Sequence, residues 1–275
     1  GGHRIGGNSP SQVASSQATS GSRSSESPQE CAQNPDAMVT SASSGSNGTL
    51  DVEIQLESAC GTQSNPYDEL TTVSLSDSEG FIARAVFDFA SNPVDLSSGT
   101  ESTKLNYQTT QYWRPADEIN TNDVKVALVL NPSTASGSEP SNSGDTRYGA
   151  DIADSEWLED TAKTAINRQI KHDKSTAQNF MNTYTNQLSS KQKGMVADGK
   201  TWSYRDIYEQ YLQMRTRFSN TLLVWSGDWP TYTKNNTDNY YVLLSGEGFS
   251  STDGAQSWCT SNGFSSDDCI PVNLS

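Results

Sequence analysis

The chain has 275 residues, 32% of them apolar, and a formal net charge of −15. Its longest apolar runs, Val126–Leu130 and Tyr240–Leu244, fall far short of the roughly 20 residues of a membrane span. The charge argues against nucleic acid, whose phosphates need clustered Lys and Arg, and against an anionic membrane surface.

Residues 1–30 hold nine Ser and five Gly and no aromatic residue or Leu. Such a composition cannot bury a core, and it predicts a disordered linker. A Ser-rich stalk of this kind is expected to join an upstream transmembrane helix to an ectodomain; the alternative is a spacer in a freely secreted protein. Cys31 follows. In the stretch to 132, Leu50, Val52, Ile54 and Leu56 alternate with Asp51, Glu53, Gln55 and Glu57, the period of a half-buried strand. Val73 and Leu75, then Ala83, Ala85, Phe87 and Phe89, then Val124, Val126, Leu128 and Leu130 repeat the pattern. Turn clusters separate them, among them Ser44–Gly48 and Gly61–Pro66. Short strands at this spacing predict an Ig-like β-sandwich over 31–132.

Residues 133–150 show no apolar period and read as a loop. From 151 the period becomes helical. Leu158, Ala162, Ala165, Ile166 and Ile170 form one stripe, and Phe180, Tyr184 and Leu188 predict a second helix. Trp202, Ile207, Tyr208, Tyr211 and Leu212 predict a third. Strands follow at Thr221–Trp225 and Tyr240–Leu244, then a helix from Ser251 through Trp258 and Cys259. An edge strand with Pro271 closes the chain. The fold class is therefore α+β: a β-sandwich, then a helical plus α+β domain over 151–275 that ends in a small α-β-β-α-β module.

Four cysteines permit three pairings. Cys31–Cys60 and Cys259–Cys269 keep each bridge within one segment. With two His and no C-x-x-C, zinc is not expected, nor is any cofactor. Disulfides point to an oxidising compartment outside the cytoplasm.

Several stretches resemble a family. Ala85–Phe89 with Pro93, Tyr112–Pro115, Gln187–Trp202, Leu222–Tyr232 and Tyr240–Cys269 are similar to extracytoplasmic C-terminal domains of actinobacterial single-pass membrane proteins, some with a kinase-like cytoplasmic part. The terminal β-β-α-β portion also resembles the sporulation-related repeat, a fold that binds denuded peptidoglycan glycan. These resemblances imply a membrane-anchored, cell-envelope location. They supply no catalytic residues.

The densest candidate site is Trp225-Ser226-Gly227-Asp228-Trp229-Pro230-Thr231-Tyr232. Aromatic faces stack on sugar rings and a carboxylate accepts their hydroxyls, so Trp225, Asp228, Trp229 and Tyr232 suggest a glycan platform; the alternative is a Trp pair packed on the third helix. Lys191, Lys193 and Lys200 form a positive patch fit for a stem-peptide carboxylate or an acidic wall polymer, or else a solvated loop. The carboxylate pairs Asp206/Glu209 and Glu156/Glu159 sit on polar faces with nothing to raise a pKa. Asp267-Asp268 read as a turn. His172 is the one His outside the tail and reads as a solvated residue, and no G-x-S-x-G elbow exists. Asp51, Asp77 and Glu79 lack EF-hand spacing. The expected function is non-enzymatic binding of a cell-wall glycan or peptide. The alternatives are a docking scaffold for an envelope or division protein and, as a lesser reading, a cell-wall hydrolase.

Overall fold

The computed structural model describes residues 33–61 and 66–275. The predicted linker over 1–30 and Cys31 lie outside these residues. The chain is a mixed α+β protein that divides into two compact units, Gly1–Ser155 and Glu156–Ser275.

In the first unit, β1 (Asp36–Ser44) and β2 (Leu50–Glu57) form an antiparallel hairpin. Its turn holds Asn47 at φ 58° and Gly48 at φ 80°, a left-handed pair that Asn tolerates and Gly adopts freely. Leu50, Val52, Ile54 and Leu56 are buried, and the residues between them are half-exposed. β3 (Leu70–Asp77) pairs on one side with β4 (Gly80–Asp88) and on the other with β6 (Lys125–Leu130), all antiparallel. β5 (Thr100–Tyr107) lies beside β2.

Two further strands correct the loop expected over 133–150. β7 (Ser141–Ser143) and β8 (Thr146–Tyr148) extend the first sheet to the order β1-β2-β5-β8-β7, with β8 parallel to β5. Their signal is polar, so apolar periodicity misses them. What anchors β8 is Arg147, 5% exposed. Its Nε donates to Thr103 Oγ1 at 2.8 Å and its Nη1 to the Asp88 carbonyl at 2.9 Å. The guanidinium also lies 4.2 Å from the Phe89 ring centre. Burial lowers the Arg147 pKa, and Asp88 offsets part of that shift.

The two sheets meet through aromatic side chains. Tyr107 donates its hydroxyl to the Val73 carbonyl at 3.0 Å, and Phe87 packs edge-on against the Tyr107 ring at 5.0 Å. Arg114, 1% exposed, forms a two-pronged ion pair with Asp77 at 2.7 and 3.0 Å. A buried guanidinium requires such a partner, because an unpaired charge there is prohibitively costly.

The second unit begins at the second residue of α1 (Ser155–Ala177), on which Leu158, Ala162, Ala165 and Ile166 are buried. The second helix predicted from Phe180, Tyr184 and Leu188 does not form. Phe180 lies in a short 3-10 turn, and β9 (Thr185–Lys191) takes Leu188. Spacing of four places residues on one face of a strand as well as of a helix. Asn182, Thr183 and Thr185 are poor helix formers, so the strand prevails. A small hairpin follows, β10 (Val196–Ala197) with β11 (Lys200–Thr201). Then come α2 (Tyr204–Arg217), β12 (Leu222–Trp225), the single turn α3 (Pro230–Thr233), β13 (Tyr241–Leu244), α4 (Thr252–Ser261) and β14 (Ile270–Val272).

The sheet order is β12-β13-β9-β14, with every pair antiparallel. Leaving aside the small hairpin and α3, the order from β9 is β-α-β-β-α-β, the split β-α-β arrangement. The predicted module lacked β9, which lies between β13 and β14. One face of this sheet carries α2 and α4: Ser189 Oγ donates to Gln210 Oε1 at 2.9 Å, and Asn186 Nδ2 donates to the Ala255 carbonyl at 2.7 Å. On the other face Leu222, Val224, Val242 and Leu244 pack with Ala177, Phe180, Trp229, Tyr232 and Leu274.

Each sheet edge is blocked at one backbone donor. On β12 the Leu223 N–H donates to the buried Asp173 carboxylate of α1 at 2.9 Å. On β14 Pro271 supplies no N–H. The predicted bridge Cys259–Cys269 is present, with Cα atoms 5.6 Å apart, and ties α4 to the start of β14. Cys60 is also disulfide-bonded; Cys31, its expected partner, is outside the described residues.

Candidate functional site

The most chemically distinctive surface lies where α2 begins. Ser203 caps the helix, accepting the Asp206 N–H at 3.1 Å, while the Asp206 carboxylate accepts the Ser203 N–H at 3.0 Å. This reciprocal capping box satisfies two orphan donors. Glu159 of α1 takes two more, accepting the N–H of Tyr204 at 3.2 Å and of Arg205 at 2.9 Å. The Tyr204 backbone is thereby fixed. Burial would raise the Asp206 pKa, but the Ser203 hydrogen bonds and then Lys200 hold it below the usual carboxylate value.

Strand register then builds a row. Trp225, Tyr241 and Lys191 stand abreast on β12, β13 and β9. The Trp225 and Tyr241 rings are 4.9 Å apart, and Tyr204 meets Tyr241 edge-on at 6.1 Å. All three rings are half-buried. The Tyr241 phenol is pushed up to about 12, first by burial and then by Tyr204. Lysines surround the row. Lys193 Nζ and Lys163 Nζ lie 5.1 and 5.4 Å from the Tyr204 ring centre. Lys191 and Lys200 lie 4.8 and 4.4 Å from the centre of the buried Trp202 ring. The turn of the β10–β11 hairpin, with Asp198 at φ 52° and Gly199 at φ 79°, folds Lys191 toward Asp198 at 3.7 Å. Lys200 pairs with Asp206 at 3.4 Å.

The predicted platform divides. Trp225 keeps a half-exposed place in the row. Trp229 is 4% exposed and Tyr232 8%, both in the core of the opposite face. The Tyr232 hydroxyl donates to Gln187 Oε1 at 2.7 Å, and burial raises its pKa. Pro230 starts α3 immediately after Trp229, which turns both rings inward. This corrects the expectation that Trp225, Trp229 and Tyr232 share one ligand-facing surface. Asp228 is exposed and lies 3.7 Å from Lys174, a weak surface pair. Lys191 lies over Trp202 and Lys193 over Tyr204; sequence reading missed Tyr204, Tyr241 and Lys163. Lys163 reaches the site from a separate helix, so nothing in its local sequence signals the meeting.

Comparison with protein-family models, curated proteins and solved structures gives no match.

Three of the carboxylates weighed as catalytic groups have structural partners. Glu159 and Asp206 cap α2. Asp268 accepts the Ser265 hydroxyl at 2.8 Å in a turn. The His172 side chain is 48% exposed, with Nδ1 3.1 Å from Asp173. Charge is unevenly distributed. The first unit holds 7 Lys and Arg against 20 Asp and Glu, net −13; the second holds 11 against 13, net −2. An anionic ligand is repelled far less by the unit that carries the aromatic row.

Proposed function

We propose that this chain is the extracytoplasmic part of a membrane-anchored envelope protein, and that it binds a cell-wall component without catalysing a reaction on it. The observation that carries this reading is the row Trp225–Tyr241–Tyr204 with its flanking lysines. The half-exposed rings are held by strand register and a capped helix, tilted 53° and 77° to their neighbours, and rigid aromatic anchors bind at low entropic cost. The oxidised Cys60 and the Cys259–Cys269 bridge support an oxidising compartment. Use of the capping carboxylates in structure supports binding over hydrolysis.

Two fold-level features are compatible with the sandwich expected from strand spacing and with the sporulation-related resemblance. The neighbours β1-β2-β5 and β4-β3-β6 follow the A-B-E and C′-C-F order of an Ig-like sandwich, from which the parallel β8 departs. The order from β9 is compatible with a sporulation-related repeat. In this chain, however, the sheet face away from α2 and α4 is filled by Phe180, Trp229, Tyr232 and Leu274, so the ligand surface is assigned to the sheet end instead. A second reading, a docking scaffold for another envelope protein, is favoured by one feature: the net −13 of the first unit, which suits a basic protein partner.

The test is sedimentation of the oxidised chain with isolated actinobacterial cell walls. Retention that falls on substitution Trp225→Ala supports wall binding. No retention of the folded, oxidised chain refutes it and leaves the scaffold reading.

A further inference from the structure

Two ammonium groups converge on one ring. Lys163 comes from α1 and Lys193 from the turn after β9, and both lie within 5.4 Å of the Tyr204 ring centre. Among the described residues neither is in an ion pair, whereas their neighbours Lys191 and Lys200 pair with Asp198 and Asp206. Glu159, one turn before Lys163 on α1, already accepts two backbone N–H groups of α2. Both ammonium groups are exposed and carry their charge without a carboxylate partner among those residues, a role that an anion can fill. Beside them Tyr241 and Trp225 extend the ring row.

We propose that Lys163, Lys193 and Tyr204 form a subsite for a carboxylate carried by the wall glycan itself, with Tyr241 and Trp225 stacking the sugar ring that bears it. This rests on the wall-binding reading above and adds to it the charge of the ligand and the residues that meet it. Lysine ammoniums act here as point charges, which suits a single carboxylate on a mobile polymer.

The experiment measures retention of the full oxidised chain on four preparations of one wall. These are the intact wall, the wall stripped of stem peptides, the wall freed of phosphodiester polymers, and the wall whose carboxylates are converted to neutral amides. The expected result is equal retention on the first three and loss on the amidated wall. Lys163→Gln and Lys193→Gln should each weaken retention on the intact wall about tenfold, the worth of one charge-assisted contact, and should flatten its salt dependence. Far-UV circular dichroism of both variants checks that they fold. Unchanged retention on the amidated wall, or unchanged retention by both folded lysine variants, overturns the subsite but leaves wall binding standing. Loss on peptide stripping moves the carboxylate to the stem, and loss on phosphodiester removal makes the ligand a phosphate polymer; either result overturns the proposal as stated. No retention on the intact wall refutes the parent reading.

Discussion

Trp229→Ala separates a core role from a ligand role at this residue. Trp229 is 4% exposed and packs among Phe180, Val224, Tyr232, Val242, Leu244 and Leu274. Truncating a buried Trp costs about 3–5 kcal/mol, because transfer energy and a cavity are both lost. The companion variant Trp229→Phe behaves differently. It gives up roughly 40 Å² of apolar surface, about 1 kcal/mol. It also removes the indole N–H, which is buried and has no protein acceptor among the described residues; such an orphan costs about 1–3 kcal/mol. The two terms nearly cancel, so Trp229→Phe should lie within about 1 kcal/mol of the parent. Urea unfolding followed by tryptophan fluorescence is a suitable assay, since five of the six Trp lie in the second unit and report mainly on it. Far-UV circular dichroism controls for the altered fluorophore. An unchanged midpoint for Trp229→Ala, together with lost wall retention, would refute the core placement and restore the two-Trp platform.

Arg114→Met leaves the Asp77 carboxylate buried without its partner, so it should destabilise the first unit by about 3–5 kcal/mol, and Asp77→Leu added to it should recover much of that loss. Denaturant melts of the single and double variants measure both values. Cys259→Ser frees a loop closed across ten positions, worth roughly 2–3 kcal/mol in the chain-entropy account; a matching fall in melting temperature should follow reduction of the parent. Tyr241 has a raised pKa, so its contribution to stability is complete below the unfolded phenol value of about 10. That contribution is lost as pH rises through about 12, and absorbance titration of Tyr241→Phe should lack one late-ionising phenol. Asp206 has a lowered pKa, so the stability it adds is present above about 4 and lost as pH falls through the depressed folded value. Asp206→Asn should flatten the acid limb of a stability–pH curve.

Much of the fold can be read where burial on one face writes a clean period. Leu50, Val52, Ile54 and Leu56 announce β2, and Leu158, Ala162, Ala165 and Ile166 announce α1, because each element has one solvated side. The signal fails where two periods coincide. Phe180, Tyr184 and Leu188 satisfy helix and strand alike, and only the Asn and Thr residues around them favour the strand. It fails again in β7 and β8, whose place depends on a buried Arg147 and its hydrogen bonds. At the candidate site, the lysines at 191, 193 and 200 were visible as a cluster. Lys163 and Tyr241 were not, since their meeting with Tyr204 depends on tertiary packing and on which residues stand opposite in register. Trp229 misled because an aromatic residue beside a turn looks the same in sequence whether it faces solvent or core.

The blocked donors at the edges of the second sheet limit how copies of this protein can associate. A strand edge is a template that any extended chain can read. Here Asp173 occupies one template and Pro271 removes a donor from the other. Both features disfavour sheet-to-sheet joining of two copies, so concentration can rise without the ordered aggregation that an open edge would seed.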